Sequence, residues 1–321
     1  MREVTFVSQN IDKWKTFENF LTNKDNHNPD EISNLYVQVI DDLSYARTFY
    51  PTSPTAIYLN QLTGKAHQTI YKNKKEKGSR IIRFWKEELP TLFYNSRRQF
   101  FISFFIFMIA ALIGAVSAAN DDSFIRLILG DDYVNMTIEN IKNGDALAVY
   151  KSGSSVMMFW EITTNNIFVG LKTFGSGIFL GVGTILSLFY NGVMLGAFQY
   201  FFYTYGLLQQ SVLTVWLHGT IEISVIIVSG CAGLVLGNSI LFPGTYSRLD
   251  SFQMGAKQGL KIVIGTVPFF IIAGFIESFI TRHARASYFF DAVLISLSLI
   301  LIIGYFVVYP IWLHQKTKNK Y

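Results

Sequence analysis

Six stretches of the chain are apolar over lengths that suit a membrane: 100–119, 167–190, 193–207, 212–236, 262–280 and 289–313. A spanning helix needs about 20 mostly apolar residues, because about 30 Å of hydrocarbon is crossed at about 1.5 Å per residue. The third stretch is short and follows the second across only Asn191-Gly192. The pair is read as a tight hairpin, with a broken or re-entrant third element as the alternative. Ahead of the spans the pattern changes. Leu35, Val39, Leu43 and Ala46, then Leu59, Leu62, Ala66 and Ile70, recur at helical spacing, with Pro51 and Pro54 between the two series. The stretch RIIRFWKEELPTLFYNSRR mixes Ile, Phe, Trp and Leu with charges. It predicts an amphipathic helix lying either on the inner membrane surface or on the soluble domain. The expected fold is therefore all-α: a helical domain over 1–98, then a polytopic bundle over 99–321. The 120–165 loop, too long for a turn, is expected to form short amphipathic helices at the outer surface, from the patterns FIRLIL and MTIENI.

Composition sharpens this division. Half of the 321 residues are hydrophobic and only 15% are charged, yet residues 1–99 hold 15 Lys/Arg and 11 Asp/Glu. The net charge of +5 therefore comes from a soluble domain and from residues flanking the spans, and no nucleic-acid partner is expected. The single cysteine, Cys231, excludes an intramolecular disulfide and a cysteine-based zinc site. The start, MREVTFVSQNIDKWK, has no apolar signal region, so the first span is expected to direct insertion. Basic residues before the first span (Arg80, Arg83, Lys86, Arg97, Arg98), between the fourth and fifth (Arg248, Lys257, Lys261) and in the tail (Lys316, Lys318, Lys320) place both termini in the cytoplasm. Residues 120–165 carry Arg126, Lys142 and Lys151 against seven acids, which suits the outside, whereas Arg282 and Arg285 of TRHAR disagree.

Two sets of residues carry candidate chemistry. The pairs Gly177/Gly181, Gly192/Gly196 and Gly233/Gly237 are GxxxG spacings inside apolar stretches, which let helix backbones approach closely. Packing within the bundle is one reading and a homo-oligomer interface the other. The second set is ionisable. His218 and Glu222 share a helix face at i and i+4. With Lys172, Glu277 and Asp291 they fall in the outer half of the membrane, where a polar group must be paired or face a cavity. A structural network, a ligand, ion or proton site, and independent interfacial side chains are the three readings. No HExxH motif and no phosphate-binding GxxxxGK[ST] is present, so no metal or cofactor is assigned. A serine dyad of Ser176 with His218 is the one hydrolase arrangement that can be drawn.

The segment TTNNIFVGLKTFGSGIFLGVGTILSLFYNGVMLGAF, followed by HGTIEISVIIVSGCAGLVLGNSI, resembles the core of the stage II sporulation protein M family. Asn165-Asn166, Gly181, the run from Asn191 through Gly196, His218-Gly219 with Glu222, and Gly230 through Gly237 carry the likeness. The stretches LYVQVIDDLSYAR and YLNQLTGKAHQTIY are similar to the longer members found outside spore formers. The resemblance implies a multi-pass protein of the bacterial inner membrane. In spore formers such a protein belongs to the engulfment machinery and works with a lytic transglycosylase and an amidase. The expected role is a non-catalytic scaffold of a cell-envelope complex, with the lipid bilayer and other membrane or envelope proteins as partners. A small-solute or ion transporter using the His/Glu/Lys cluster is the alternative, and an intramembrane hydrolase the third reading.

Overall fold

The computed structural model describes residues 1–22, 29–70, 79–146, 148, 153–281 and 288–318, and no strand occurs among them. Arg282, Arg285, Lys151 and Lys320 lie outside the described residues. The chain divides into two units, Met1–Ser79 and Arg80–Tyr321.

The first unit is built from α1 (Glu3–Thr22), α2 (Pro29–Phe49) and α3 (Pro54–Ile70). Proline opens α2 and α3, at the helical position where a missing N–H leaves no bond unmade. The two series read from the sequence do form the inner faces: Val39, Leu43, Ala46, Leu59, Leu62 and Ala66 are buried. They close on Phe6, Trp14 and Phe17 of α1, an element that the periodicity reading had not marked. The Trp14 indole Nε1 donates to Asp42 Oδ2 at 2.7 Å, and Lys13 Nζ lies 2.6 Å from the same oxygen.

The second unit opens with α4 (Ser79–Arg83), a π-helical turn over Phe84–Glu88 and α5 (Leu89–Asn95). It continues with α6 (Arg97–Asn120), α7 (Asp122–Leu129), α8 (Asp131–Lys142), α9 (Ser155–Gly175), α10 (Val182–Thr204) and α11 (Leu208–Leu241). The last elements are α12 (Arg248–Phe275), α13 (Tyr288–Ile303) and α14 (Tyr309–Lys318). A π-helical turn over Ile276–Ile280 prolongs α12, and another over Gly304–Val308 joins α13 to α14. Five helices are long and apolar enough to cross a membrane: α6, α10, α11, α12 with its π turn, and α13 with α14. Helix α9 is as long as a span but is marked by Glu161, Asn165, Asn166 and Lys172, and it lies along α11 and α12.

Residue pairings give the relative directions of α6 with α10 and of α9 with α11 and α12. Gly192 and Gly196 of α10 meet 107–111 and 111–115 of α6, so these two run parallel. Gly170 faces Ser229 and Gly177 faces Gly233, so α9 and α11 also run parallel; Thr163 meets Gly274 while Phe174 meets Gly259, so α12 runs against α9. Six helices thus cross the unit in alternation. Helix α11 is the central one, with 78% of its apolar window buried against 22% for α6 and 17% for the α13–α14 span. The amphipathic stretch 80–94 belongs to this unit. Leu89 is fully buried against Gly265, and Tyr305 and Tyr309 donate to the carbonyls of Trp85 and Lys86. Glu88 pairs with Lys261.

The expected hairpin at Asn191-Gly192 does not form. Helix α10 runs straight through that dipeptide, because Asn191 Nδ2 bonds back to the Ser187 carbonyl and Gly192 seats the helix on the Phe107 carbonyl. The reversal lies earlier, over Ser176–Gly181. Gly181 there adopts a φ of +83°, which favours glycine, and Leu180 before it is held at +54°. A leucine in that region is strained by about 1–2 kcal/mol. Leu180→Gly is therefore expected to raise stability by up to about 1 kcal/mol once the entropy of the added glycine is deducted, measured as the unfolding midpoint of the purified protein in mixed micelles. A lower midpoint would mean that the Leu180 side chain contributes more than its backbone strain removes.

A candidate metal centre in a cavity between the membrane helices

The second unit holds a cavity of about 730 Å³ between α9, α10 and α11. At one end it is lined by Ile128, Leu129 and Tyr133 of α7 and α8. At the other it reaches Phe107, near the middle of α6. Its walls are apolar, from Val169, Leu195, Val215 and Ile226 among others. Its polar groups come from four helices: Glu161, Asn165 and Asn166 on α9, Asn191 on α10, His218 and Glu222 on α11, and Glu277 on the π turn of α12.

His218, Glu222 and Glu277 converge, each offering a ligand atom within 4.8 Å of the others. The helical spacing of His218 and Glu222 supplies two of them from one face. The third depends on the π turn Ile276–Ile280, whose extra residue per turn re-aims the chain and brings Glu277 towards α11. His218 is 4% exposed, its Nε2 lying 3.8 Å from Glu277 Oε1 and its Nδ1 3.2 Å from Thr281 Oγ1. The Thr281 hydroxyl is itself donated to the Ile276 carbonyl at 3.2 Å. Its oxygen therefore accepts, which puts the imidazole proton on Nδ1 and turns the lone pair of Nε2 towards Glu277.

Asn166, 6% exposed, is the other built feature. Asn165 Nδ2 donates to Asn166 Oδ1 at 3.3 Å, which fixes the orientation of the amide. The Asn166 Nδ2 group is buried and has no acceptor among the described residues. Buried donors are nearly always satisfied, so this one calls for an acceptor from outside the chain, such as a water or a ligand oxygen.

Two members of the expected cluster lie elsewhere. Because α9 begins at Ser155 and ends at Gly175, Lys172 sits at the end of the bundle away from α7 and α8, and its side chain is exposed. Asp291 is buried in the first turn of α13 but does not line the cavity. The Ser176–His218 dyad is not formed. Ser176 lies in the turn at the far end, and its hydroxyl donates to the Lys172 carbonyl. Thr281 was missed by the sequence reading, since nothing in sequence marks a threonine that contacts a histidine 63 positions away.

The glycines divide as well. Gly177 and Gly181 are not inside an α-helix; Gly177 lies in a short 3-10 turn and Gly181 precedes α10. They belong to the turn, and they face Gly233 and Gly237 of α11 respectively, so the two expected pairs form one contact. Gly192 and Gly196 make the contact of α10 with α6. Gly219 lines the cavity. The pairs thus serve contacts between helices of one chain.

A bundle of crossing helices around a central glycine-rich helix, with polar groups facing a cavity, defines a polytopic α-helical membrane protein. The profile of the family Stage II sporulation protein M matches residues 103–282, a range that contains the whole cavity, and the chain belongs to that family. Residues 4–72 match a domain of unknown function, DUF8413. No curated protein and no solved structure matches the chain.

Proposed function

We propose that this protein is a ligand-binding component of a cell-envelope assembly in the bacterial cytoplasmic membrane, with both termini in the cytoplasm. The observation that carries the reading is the cavity: polar groups from four helices set among apolar walls, with a buried amide donor that has no acceptor among the described residues. Such a lining suits an amphiphile with a polar head and an apolar tail, and the volume lies in the range of small-molecule sites. The basic residues before α6, between α11 and α12 and on α14 support a cytoplasmic face at that end, which leaves α7 and α8 outside. The ligand then enters from the outer leaflet. The first unit is free to recruit other envelope proteins, as the scaffold reading holds.

That scaffold reading, a rigid bundle that only docks partners, is favoured by one specific observation, the backbone contact of Gly177 with Gly233. Thiol labelling separates the two. Cys231 is fully buried, so a Cys231→Ala background leaves a chain without thiols. Asn191→Cys in that background is expected to react with a charged, membrane-impermeant thiosulfonate added from the side opposite the termini, whereas Ala232→Cys, sealed between helices, stays unlabelled. Failure of Asn191→Cys to react from either side would leave the scaffold reading standing. Uptake into proteoliposomes, lost in His218→Ala and Glu222→Ala with the fold intact, would extend binding to transport.

A further inference from the structure

We infer that His218, Glu222 and Glu277 form a three-ligand site for a divalent transition-metal ion of the zinc class, with its open coordination position facing the cavity. The inference deepens the ligand-binding reading and rests on it for the open position alone.

Four observations meet here. The three ligand atoms lie within 4.8 Å of one another, and Nε2 of His218 is 3.8 Å from Glu277 Oε1. A tetrahedral ion with ligands at about 2.0–2.2 Å holds them about 3.3–3.6 Å apart, so small side-chain rotations close the site. The orientation of the histidine is the second. With the Nδ1 proton directed at Thr281 Oγ1, the lone pair of Nε2 and the oxygen of Glu277 face each other as two acceptors, and only a cation or a proton between them makes that arrangement favourable. Metal-bound histidines are held in this way, by a bond from the other ring nitrogen. Charge is the third. Two carboxylates this close in a low-dielectric interior need a counter-charge or a proton, and no Lys or Arg is among the described residues that line the cavity. A divalent ion with two carboxylates and a neutral imidazole sums to zero. The fourth is the vicinity: Asn166, whose Nδ2 has no acceptor among the described residues, lines the same cavity, where a small rotation lets it donate to a water or a ligand oxygen on the ion.

The donor set also selects the ion. One imidazole nitrogen with two carboxylates suits zinc or manganese, while magnesium and calcium prefer all-oxygen shells. Three protein ligands and one open position are the arrangement of sites that bind an exchangeable fourth ligand, whereas structural zinc sites are closed by four protein ligands.

The test uses the full chain, purified in detergent, stripped with a chelator and then dialysed against zinc with elemental analysis. One equivalent per chain is expected. His218→Ala and Glu277→Gln should weaken binding at least tenfold. Thr281→Val, which touches no metal, should weaken it about 10- to 100-fold by freeing the imidazole. Lys172→Gln and Asp291→Asn are expected to bind as the parent does. X-ray absorption should show nitrogen and oxygen neighbours and no sulfur. Circular dichroism and the unfolding midpoint establish that each variant is folded. A folded parent chain that takes up no stoichiometric zinc or manganese overturns the inference, and so do folded His218→Ala and Glu277→Gln chains that bind as tightly as the parent. The labelling result stays independent: a chain that labels at Asn191→Cys yet binds no metal loses this inference alone, and one that binds metal without labelling loses the open cavity.

Discussion

Substituting valine for Gly196 is expected to unseat α10 from α6 and lower stability by about 3 kcal/mol, the upper end of the usual penalty for overpacking a close contact. A β-carbon at Gly196 would run into the Ala111 carbonyl and stand 2.7 Å from the Ala115 nitrogen, and both obstacles are backbone. Neither helix can yield without moving as a whole. Gly175 supplies the contrast. It ends α9 with no atom near its missing side chain, so Gly175→Ala is expected to be neutral or to gain up to about 1 kcal/mol from helix propensity. Titration of the purified protein with denaturing detergent reads both. Equal midpoints for Gly196→Val and Gly175→Ala would mean that α6 and α10 are not packed backbone to backbone. The prediction matters for function because α10 forms one wall of the cavity through Asn191, Met194 and Leu195.

The second large effect is expected in the first unit. Trp14 is 1% exposed at the centre of α1–α3, and Trp14→Ala should cost about 3–5 kcal/mol. A domain of this size commonly has about 4–12 kcal/mol to lose. Hydrogen exchange of the full chain should therefore show the peptides of α1, α2 and α3 losing protection together, while those of α6 and α11 keep theirs. Trp14→Phe is the finer probe. It retains most of the apolar volume and removes the bond to Asp42, for about 1 kcal/mol, and Asp42 keeps Lys13. Unchanged protection in Trp14→Ala would show that the three helices are held by something other than this core.

How much of the molecule was legible in the sequence depends on the range of the interaction. The inner faces of α2 and α3 could be read from Val39, Leu43, Leu59 and Leu62, because helical periodicity is local. Helix α1 was passed over although it was legible: Val7, Ile11, Trp14, Phe17 and Leu21 recur at helical spacing among its charges and pack on the same core. The spans 100–119, 212–236, 262–280 and 289–313 fall within α6, α11, α12 with its π turn, and the α13–α14 span. Hydropathy failed at α9 and α10, and for a definite reason. An apolar run continues across the Ser176–Gly181 reversal, since a turn that packs on Gly233 and Gly237 has no need of polar residues. Conversely Asn191-Gly192 looks like a turn, yet its asparagine is satisfied by its own helix and its glycine is needed for the approach of α6. That single misplacement reversed the depth of Lys172.

The site shows the same division. Sequence alone determined that the chain is an all-α membrane protein and that His218 and Glu222 share a face, since each follows from composition or from spacing within one helix; its resemblance to the Stage II sporulation protein M family rests instead on the motifs around Asn165-Asn166, Asn191-Gly196 and His218-Glu222. Only the tertiary structure decided that Glu277 joins them while Lys172 and Asp291 do not, that Thr281 orients the imidazole, and that the group faces a cavity. Those outcomes rest on the crossing of α11 with α12 and on one π turn at the end of α12. Neither leaves a periodic trace, because the contact joins residues about sixty positions apart and the π turn adds a single residue to an otherwise regular helix.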